Sequence, residues 1–282
     1  MLKKWLGVAV LLGSGMAHAF APQSGTWVMT AEVDGKPGRG LSIDVQNTTF
    51  VMQMYAYESS GQPTFYLAVG EVADNKVTAP LNQYRGGRYF GSPAMSGTET
   101  GTAGNVTIRF TSGTTGFITF PNEPEKAISR FNFAYGAVPE SLRGIWSFNS
   151  IGSEGLQSEL VELTKSVGAS TNGNGLMTTA NELFGCEHQI RGTLAGNVLC
   201  VKVNASGQLL RSYVLVYSVN EGEGYSLTSG SSAQQMLQLR RITTPKGEGT
   251  GLIWKDAEAP VPGAAAALVQ HLESLSSASA AP

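Results

Sequence analysis

The sequence predicts an all-β protein made of antiparallel meanders, and three observations support that prediction. Glycine contributes 35 of the 282 residues, about twice its usual share, at intervals typical of turns between strands. Apolar and polar residues alternate in short runs such as 41–46, which is the period of a half-buried strand. The connections between runs are short, and this favours antiparallel pairing of consecutive strands. We therefore expect one or two barrel-like or sandwich units, followed by a short C-terminal helix or a disordered tail.

The first 19 residues have the pattern of a secretory signal peptide. Lys3 and Lys4 precede the apolar run 5–16, and small residues flank a predicted cleavage site after Ala19. The run is too short for a transmembrane helix, and no later apolar stretch is long enough, so we expect no membrane span in the mature protein. The mature chain would begin at Phe20 and be periplasmic or secreted.

The charge of the mature chain argues against two classes of partner. Removal of Lys3 and Lys4 leaves 17 of the 19 basic residues against 21 acidic residues, and no basic run of five or more is present. We therefore expect no binding to nucleic acid and no attraction to anionic membrane surfaces.

Residues 20–138 predict a first, barrel-like β domain of about eight strands. A closed or nearly closed barrel is expected because closure removes exposed sheet edges. In the third strand Phe50, Met52 and Met54 share one face, whereas Tyr55 and Tyr57 share the other. The predicted strands cover residues 26–33, 41–46, 50–57, 64–69, 76–84, 105–111, 116–120 and 127–133.

The sequence predicts a second β domain over residues 139–246, and a linker and C-terminal tail over residues 247–282. The second domain opens with Gly-Ile-Trp at 144–146, which echoes Gly-Thr-Trp at 25–27 and hints at a duplicated unit. In the tail, residues 263–275 could form a helix with three leucines on one face. The predicted strands cover residues 146–149, 156–163, 175–182, 188–191, 198–203, 210–219 and 236–243.

The two cysteines, Cys186 and Cys200, predict a disulfide inside one hairpin. In an oxidising compartment an even count favours pairing, and Gly192 and Gly196 bracket the midpoint of the intervening segment. The bond would close a loop of about 15 residues and stabilise the fold by roughly 3 kcal/mol in the chain-entropy model. Catalytic or metal-binding cysteines are the alternative.

Residues 25–90 resemble a β module found in many secreted proteobacterial proteins, to which we attach no known activity. The resemblance is carried by Gly-Thr-Trp at 25–27, Gly-Arg-Gly-Leu-Ser at 38–42, Met-Tyr-Ala-Tyr at 54–57 and Gly-Gln-Pro-Thr-Phe-Tyr at 61–66. This chain departs from the usual pattern at Met54 and at Phe65, where tryptophan is usual. The Gly-x-Trp start followed by a meander also resembles lipocalin and avidin-like barrels, which bind small ligands. The resemblance implies a fold and a compartment, and it transfers no catalytic residue.

The chemistry-bearing residues are sparse and predict a protein that is not an enzyme. The mature chain has two histidines, of which we expect His188 to be a surface residue on its hairpin, and no Gly-x-Ser-x-Gly motif. No loop has the ligand spacing of a metal site, so neither a metal nor a cofactor is expected. Carboxylate pairs could still support a hydrolase, and the first-half candidates are Glu32, Asp34, Asp44 and Glu58.

The aromatic side chains are the remaining functional candidates. Trp27, Tyr55, Tyr57 and Tyr66 lie on neighbouring predicted strands, and such residues combine apolar faces with a polar tip that suits binding. Cross-strand packing is the competing explanation. The leading hypothesis is an exported, non-enzymatic envelope protein that binds a protein or glycan through this aromatic surface. A small-ligand barrel is the alternative, and a carboxylate-dependent hydrolase is the third.

Overall fold

The computed structural model describes residues 22–249 and 261–278. The predicted signal peptide and cleavage site, and part of the predicted linker and tail, lie outside the described residues. The prediction of an all-β, antiparallel fold with a short C-terminal helix is confirmed. No helix among the described residues is long and apolar enough to cross a membrane.

The strands of the first sheet are β1 Gly25–Met29, β2 Gly40–Gln46, β3 Thr49–Tyr57, β4 Pro63–Glu71, β5 Lys76–Arg85, β6 Thr98–Phe110, β7 Thr115–Thr119 and β8 Lys126–Arg130. Those of the second sheet are β9 Gly144–Gly152, β10 Gly155–Leu163, β11 Lys165–Val167, β12 Gly173–Thr178, β13 Phe184–Gln189, β14 Val198–Val203, β15 Leu209–Ser218, β16 Glu221–Thr228 and β17 Gln235–Arg241. Short 3₁₀ helices cover Thr30–Glu32 and Pro139–Leu142, and α1 covers Ala264–Ala278.

The described residues divide by contact density into two compact units. One contains residues 22–25 and 29–128, and the other contains residues 26–28, 129–249 and 261–278. The predicted domain boundary at residue 138 lies in the connection between β8 and the second 3₁₀ helix.

The strands β1 to β8 form a closed barrel in chain order, which is the architecture expected for the first half. Buried residues alternate with outward ones, because successive side chains of a strand point to opposite faces. Phe50, Met52 and Met54 are buried and lie opposite Val45, Ile43 and Leu41 in the β2–β3 register. The Met-rich face of β3 is therefore core, and its tyrosine face points out of the barrel.

The second sheet is a nine-stranded half-barrel with the order β10-β9-β17-β16-β15-β14-β13-β12-β11. Its inner face buries an aromatic cluster in which Phe148, Phe184 and Tyr213 have ring centroids 5.2–5.4 Å apart. The amphipathic helix α1 covers part of the outer face, where Leu268 and Leu272 are fully buried against β12 to β14.

The Cys186–Cys200 disulfide is present and links β13 to β14 as predicted. The two residues are direct partners in the antiparallel register, with their Cα atoms 4.0 Å apart. Gly192 and Gly196, in the connecting loop, have φ of 73° and 88°, values that glycine adopts without steric strain. A structural disulfide of this kind persists in oxidising compartments.

Candidate functional site

The four aromatic residues singled out in the sequence occupy three different environments. Trp27 has no exposed surface and belongs to the buried core. Tyr55 is 56% exposed on the outer face of the barrel, while Tyr66 points inward on β4 with the parity of buried Ala68. Tyr57 lies on the same outer face of β3 as Tyr55, half exposed at the end of the strand, and with Tyr66 it borders an open cavity. The structure therefore brings Tyr57 and Tyr66 to one cavity, and it leaves Tyr55 and Tyr57 together on the outer face of β3.

This site is an open cavity of about 440 Å³, which we call the barrel mouth. Small-molecule sites generally measure about 300–1,000 Å³, so the volume suits a small ligand. The barrel is closed around it, and buried apolar side chains occupy the interior beyond it. The wall is formed mainly by apolar and aromatic residues, namely Met54, Ala56, Tyr66, Leu81, Ala103 and Phe120.

A β-bulge in β6 creates part of this wall. The register with β5 shifts between the pairs Pro80–Asn105 and Asn82–Thr102, so β6 carries an extra residue there. Within this shifted segment Ala103 lines the cavity and Asn105 does not, although both residues are exposed. Gly104 sits at the bulge with φ 114°, a conformation that strongly favours glycine.

A compact cluster of four charges closes one side of the barrel mouth. Arg39 makes bidentate hydrogen bonds to Glu32, both 2.8 Å, and to Glu123, at 2.6 and 2.7 Å. Lys126 reaches the same two carboxylates at 2.7 and 3.0 Å. The guanidinium carbon of Arg39 also lies 4.7 Å from the centroid of the Phe120 ring. We call these four residues the mouth cluster, whose formal net charge is zero.

The mouth cluster fixes the ionised state of its carboxyl groups. Hydrogen bonds from Arg39, and then from Lys126, lower the pKa of Glu32 and Glu123 to about 2, against the opposing effect of burial. The same contacts raise the pKa of Arg39 and Lys126. The cluster therefore presents a polar edge of zero formal net charge beside an aromatic wall.

The carboxylates named in the sequence as hydrolase candidates are not gathered into a pair. Glu32 belongs to the mouth cluster, and Asp34 is exposed and accepts a hydrogen bond from the Lys36 backbone amide. Asp44 is exposed and accepts a hydrogen bond from Ser24 at 2.6 Å, and Glu58 is exposed in a turn. The described residues contain no group of three or more His, Cys, Asp or Glu side chains able to hold a metal.

The expectation that His188 is a surface residue is wrong. It is 8% exposed, and its Nε2 lies 3.0 Å from the hydroxyl oxygen of Ser141, which is also 2.7 Å from the hydroxyl of Tyr217. Burial lowers the pKa of His188 to about 4, so the ring is neutral at pH 7. Ser141 is itself buried and also donates to the Val138 carbonyl, so this group forms a structural network beneath the surface.

Outside the cavity, the tyrosine face of β3 continues onto β4 as an exposed apolar strip. Tyr55 pairs directly with Phe65, which is 49% exposed, and Tyr57 pairs with Pro63. Val69 is also half exposed on this face. We call Tyr55, Tyr57, Phe65 and Val69 the outer strip. It is the aromatic surface that the sequence predicted, without Trp27 and Tyr66.

Comparisons of the chain with protein-family models, with curated proteins and with solved structures find no match.

Proposed function

We propose that this chain is an exported, non-enzymatic binding protein that holds a small, uncharged, amphipathic molecule in the barrel mouth. The observation that carries the proposal is the cavity of about 440 Å³ inside a closed barrel, with aromatic and aliphatic walls on one side and fixed polar groups on the other. Such a combination gives a ligand both buried apolar area and orientation.

The mouth cluster argues for an uncharged ligand. Each of its charges is already neutralised within the cluster, so an incoming ion would find no unpaired counter-charge and would lose hydration. A neutral molecule with an aromatic or alicyclic body would instead pack against Tyr66 and Phe120 and place its polar group at the cluster edge.

Export to the periplasm or the exterior is part of the same proposal. It is supported by the N-terminal sequence pattern and by the disulfide, which suits an oxidising compartment. Exported protein should have the intact mass of a chain that begins at Phe20; the mass of the full-length chain would contradict this.

Recognition of a protein partner through the outer strip is the second candidate function. It is supported by the exposed, directly paired rings of Tyr55 and Phe65, because contiguous exposed apolar surface is typical of protein interaction sites.

The test of the barrel mouth uses the neutral fluorophore N-phenyl-1-naphthylamine and the complete mature chain. We expect saturable fluorescence enhancement in the wild type. Ala103→Phe should weaken binding by about tenfold or more, since the new ring occupies the cavity; tenfold corresponds to about 1.4 kcal/mol. Asn105→Phe is the matched control, because it adds the same ring to the same strand at a position that is also exposed but does not line the cavity.

Thermal unfolding of both variants separates loss of binding from loss of fold. The proposal fails if the wild type does not bind the fluorophore, or if folded Ala103→Phe binds it as tightly as Asn105→Phe does.

A further inference from the structure

The second unit has its own cleft, distinct from the barrel mouth and of about 670 Å³. It lies at one end of the inner face of the half-barrel, between the edge strand β10 and strands β14, β15 and β16. Buried Phe148 and Tyr213 form its floor, and Leu156 and Leu210, both exposed, stand at its rim. We call this space the half-barrel cleft.

Two cationic side chains lie on neighbouring strands at the half-barrel cleft, and each forms an ion pair with a carboxylate. Lys202 of β14 and Arg211 of β15 are direct partners in the antiparallel register, a placement that is unfavourable for like charges. Glu154 pairs with Arg211 at 2.8 Å, and Glu159 pairs with Lys202. The cleft therefore carries two positive and two negative side chains, with a formal net charge of zero.

The first of these pairs has hydrogen-bonding capacity left over. Arg211 is only 8% exposed, and its side-chain bonds to Glu154 and Thr228 both leave from Nη2. Thr228 in turn donates to Oε2 of Glu154, the same oxygen that Arg211 binds. Among the described residues, no side-chain bond is formed by Oε1 of Glu154 or by the other guanidinium nitrogens, which leaves an acceptor beside a donor.

The second carboxylate is held equally firmly. Glu159 accepts a hydrogen bond from the hydroxyl of Tyr213 at 2.6 Å on one oxygen and from Lys202 on the other. Tyr213 is 2% exposed and packs edge-on against Phe148, so the position of its hydroxyl is fixed by the core. Both carboxylates are thus oriented before any ligand arrives.

We infer that the half-barrel cleft is a second binding site, for a short neutral oligosaccharide. Each sugar hydroxyl both donates and accepts, which matches a fixed acceptor next to a fixed donor, as at Glu154 and Arg211. Sugar rings also present apolar C–H faces, for which Leu156 and Leu210 provide rim contacts. A charged ligand would have to separate the internal ion pairs. A wholly apolar ligand would remove the polar groups of the cleft from water without offering them hydrogen bonds.

The test is isothermal titration calorimetry of the complete mature chain with two trisaccharides, maltotriose and N,N′,N″-triacetylchitotriose. We expect saturable binding of at least one at millimolar concentration or below. Gln157→Phe, at an exposed cleft position on the edge strand, should weaken it by about tenfold, equivalent to about 1.4 kcal/mol. Leu160→Phe adds a ring at an exposed position of the same strand outside the cleft and should bind as the wild type does.

A second substitution tests the ion pair between Glu154 and Arg211 separately from the volume of the cleft. Glu154→Gln keeps the side-chain volume but gives up the carboxylate, and it should also weaken the sugar while circular dichroism verifies the fold. The inference is overturned if neither trisaccharide binds, or if Gln157→Phe and Leu160→Phe bind equally. Loss of sugar binding in Ala103→Phe but not in Gln157→Phe would place the sugar in the barrel mouth and would overturn it as well.

Discussion

Replacement of Arg39 by alanine should destabilise the barrel measurably, and the structure gives the size of the effect. Arg39 alone makes four charge-assisted hydrogen bonds to two carboxylates that are about a third exposed. Their pKa values fall from 4.5 to about 2. At about 1.36 kcal/mol per unit, each shift has an upper limit of about 3 kcal/mol.

Solvent screening reduces that limit substantially, because partly exposed ion pairs contribute far less than their unscreened interaction. Lys126 also remains in the variant and still neutralises part of the charge. We therefore expect Arg39→Ala to lower the free energy of unfolding by about 2 kcal/mol at pH 7, including the lost contact with Phe120.

Arg109→Ala is the matched control in the same barrel. Arg109 also binds one glutamate, Glu125, through two hydrogen bonds and lies 3.8 Å over a phenylalanine ring, but the pair is much more exposed. Urea unfolding followed by circular dichroism should show a clearly smaller loss for Arg109→Ala than for Arg39→Ala.

The dependence of stability on pH provides a second test of Arg39→Ala. Carboxyl groups with lowered folded-state pKa contribute stability above their unfolded pKa of about 4.5, and that contribution is lost as the pH falls toward 2. The wild type should lose stability in this window and Arg39→Ala should lose less. Equal unfolding free energies for Arg39→Ala and Arg109→Ala at pH 7 would refute this account of the mouth cluster.

Three further predictions follow from burial. The double substitution of Tyr55 and Tyr57 by serine should cost less than about 1 kcal/mol in urea unfolding, because both rings are outside; unfolding of the variant would show that they are core. His188, with its pKa lowered from 6.5 to about 4, stays neutral when folded and is protonated when unfolded. Stability should therefore decline as the pH falls from 6.5 to 4. A clearly smaller decline after His188→Gln would verify the cause, and an unchanged decline would contradict it. Gly173→Ala should destabilise the protein strongly, because the new Cβ would lie 1.8 Å from the carboxyl carbon of buried Glu187. Gly168→Ala, where the Cβ would enter open space, should be neutral. Equal melting temperatures for the two variants would contradict this.

The carboxylate of Glu187, which lies against Gly173, makes contacts that local sequence patterns do not reveal. Glu187 is fully buried and accepts hydrogen bonds from the backbone amides of Ser170 and Gly175, at 3.0 and 3.1 Å, and from the Ser170 hydroxyl. In sequence it is one charged residue between a cysteine and a histidine. Its role depends on the pairing of β12 with β13, which brings distant backbone amides to one point.

Part of the barrel was predictable because strands β2 and β3 alternate between buried and outward residues. Strand β2 is recognisable from Leu41 and Ile43, and β3 from Phe50, Met52 and Met54, all of which are buried. The hydrophobic effect imposes that period on any sheet with one buried face, so the pattern is local and visible in the sequence.

Strand β16, in contrast, was missed. Its sequence, Glu-Gly-Glu-Gly-Tyr-Ser-Leu-Thr, has the glycines typical of a turn. In the structure Gly222 and Gly224 face the neighbouring strand β15 so closely that a Cβ on Gly224 would lie 2.0 Å from the Val214 carbonyl oxygen. Glycine here permits close approach within a sheet, and only the tertiary structure distinguishes this from a turn.

The barrel mouth and the half-barrel cleft could hardly be predicted from the sequence, because their charged residues are far apart along the chain. The outer strip follows from strand parity, and Tyr55 and Tyr57 were identified from it. The mouth cluster joins Arg39 to Glu123, which lie 84 residues apart, and Lys202 pairs with Glu159 over 43 residues. Such pairs are set by sheet order, and no local spacing predicts them.

Native mass spectrometry of the chain, expressed with its N-terminal segment in a bacterium and purified without detergent, tests the proposed binding function most directly. We predict that wild-type protein retains a small molecule, seen as added mass on a chain that begins at Phe20. The Ala103→Phe variant should lack that added mass, and the Asn105→Phe variant should keep it. A wild-type spectrum without added mass, or the same added mass on folded Ala103→Phe protein, would contradict a ligand in the barrel mouth.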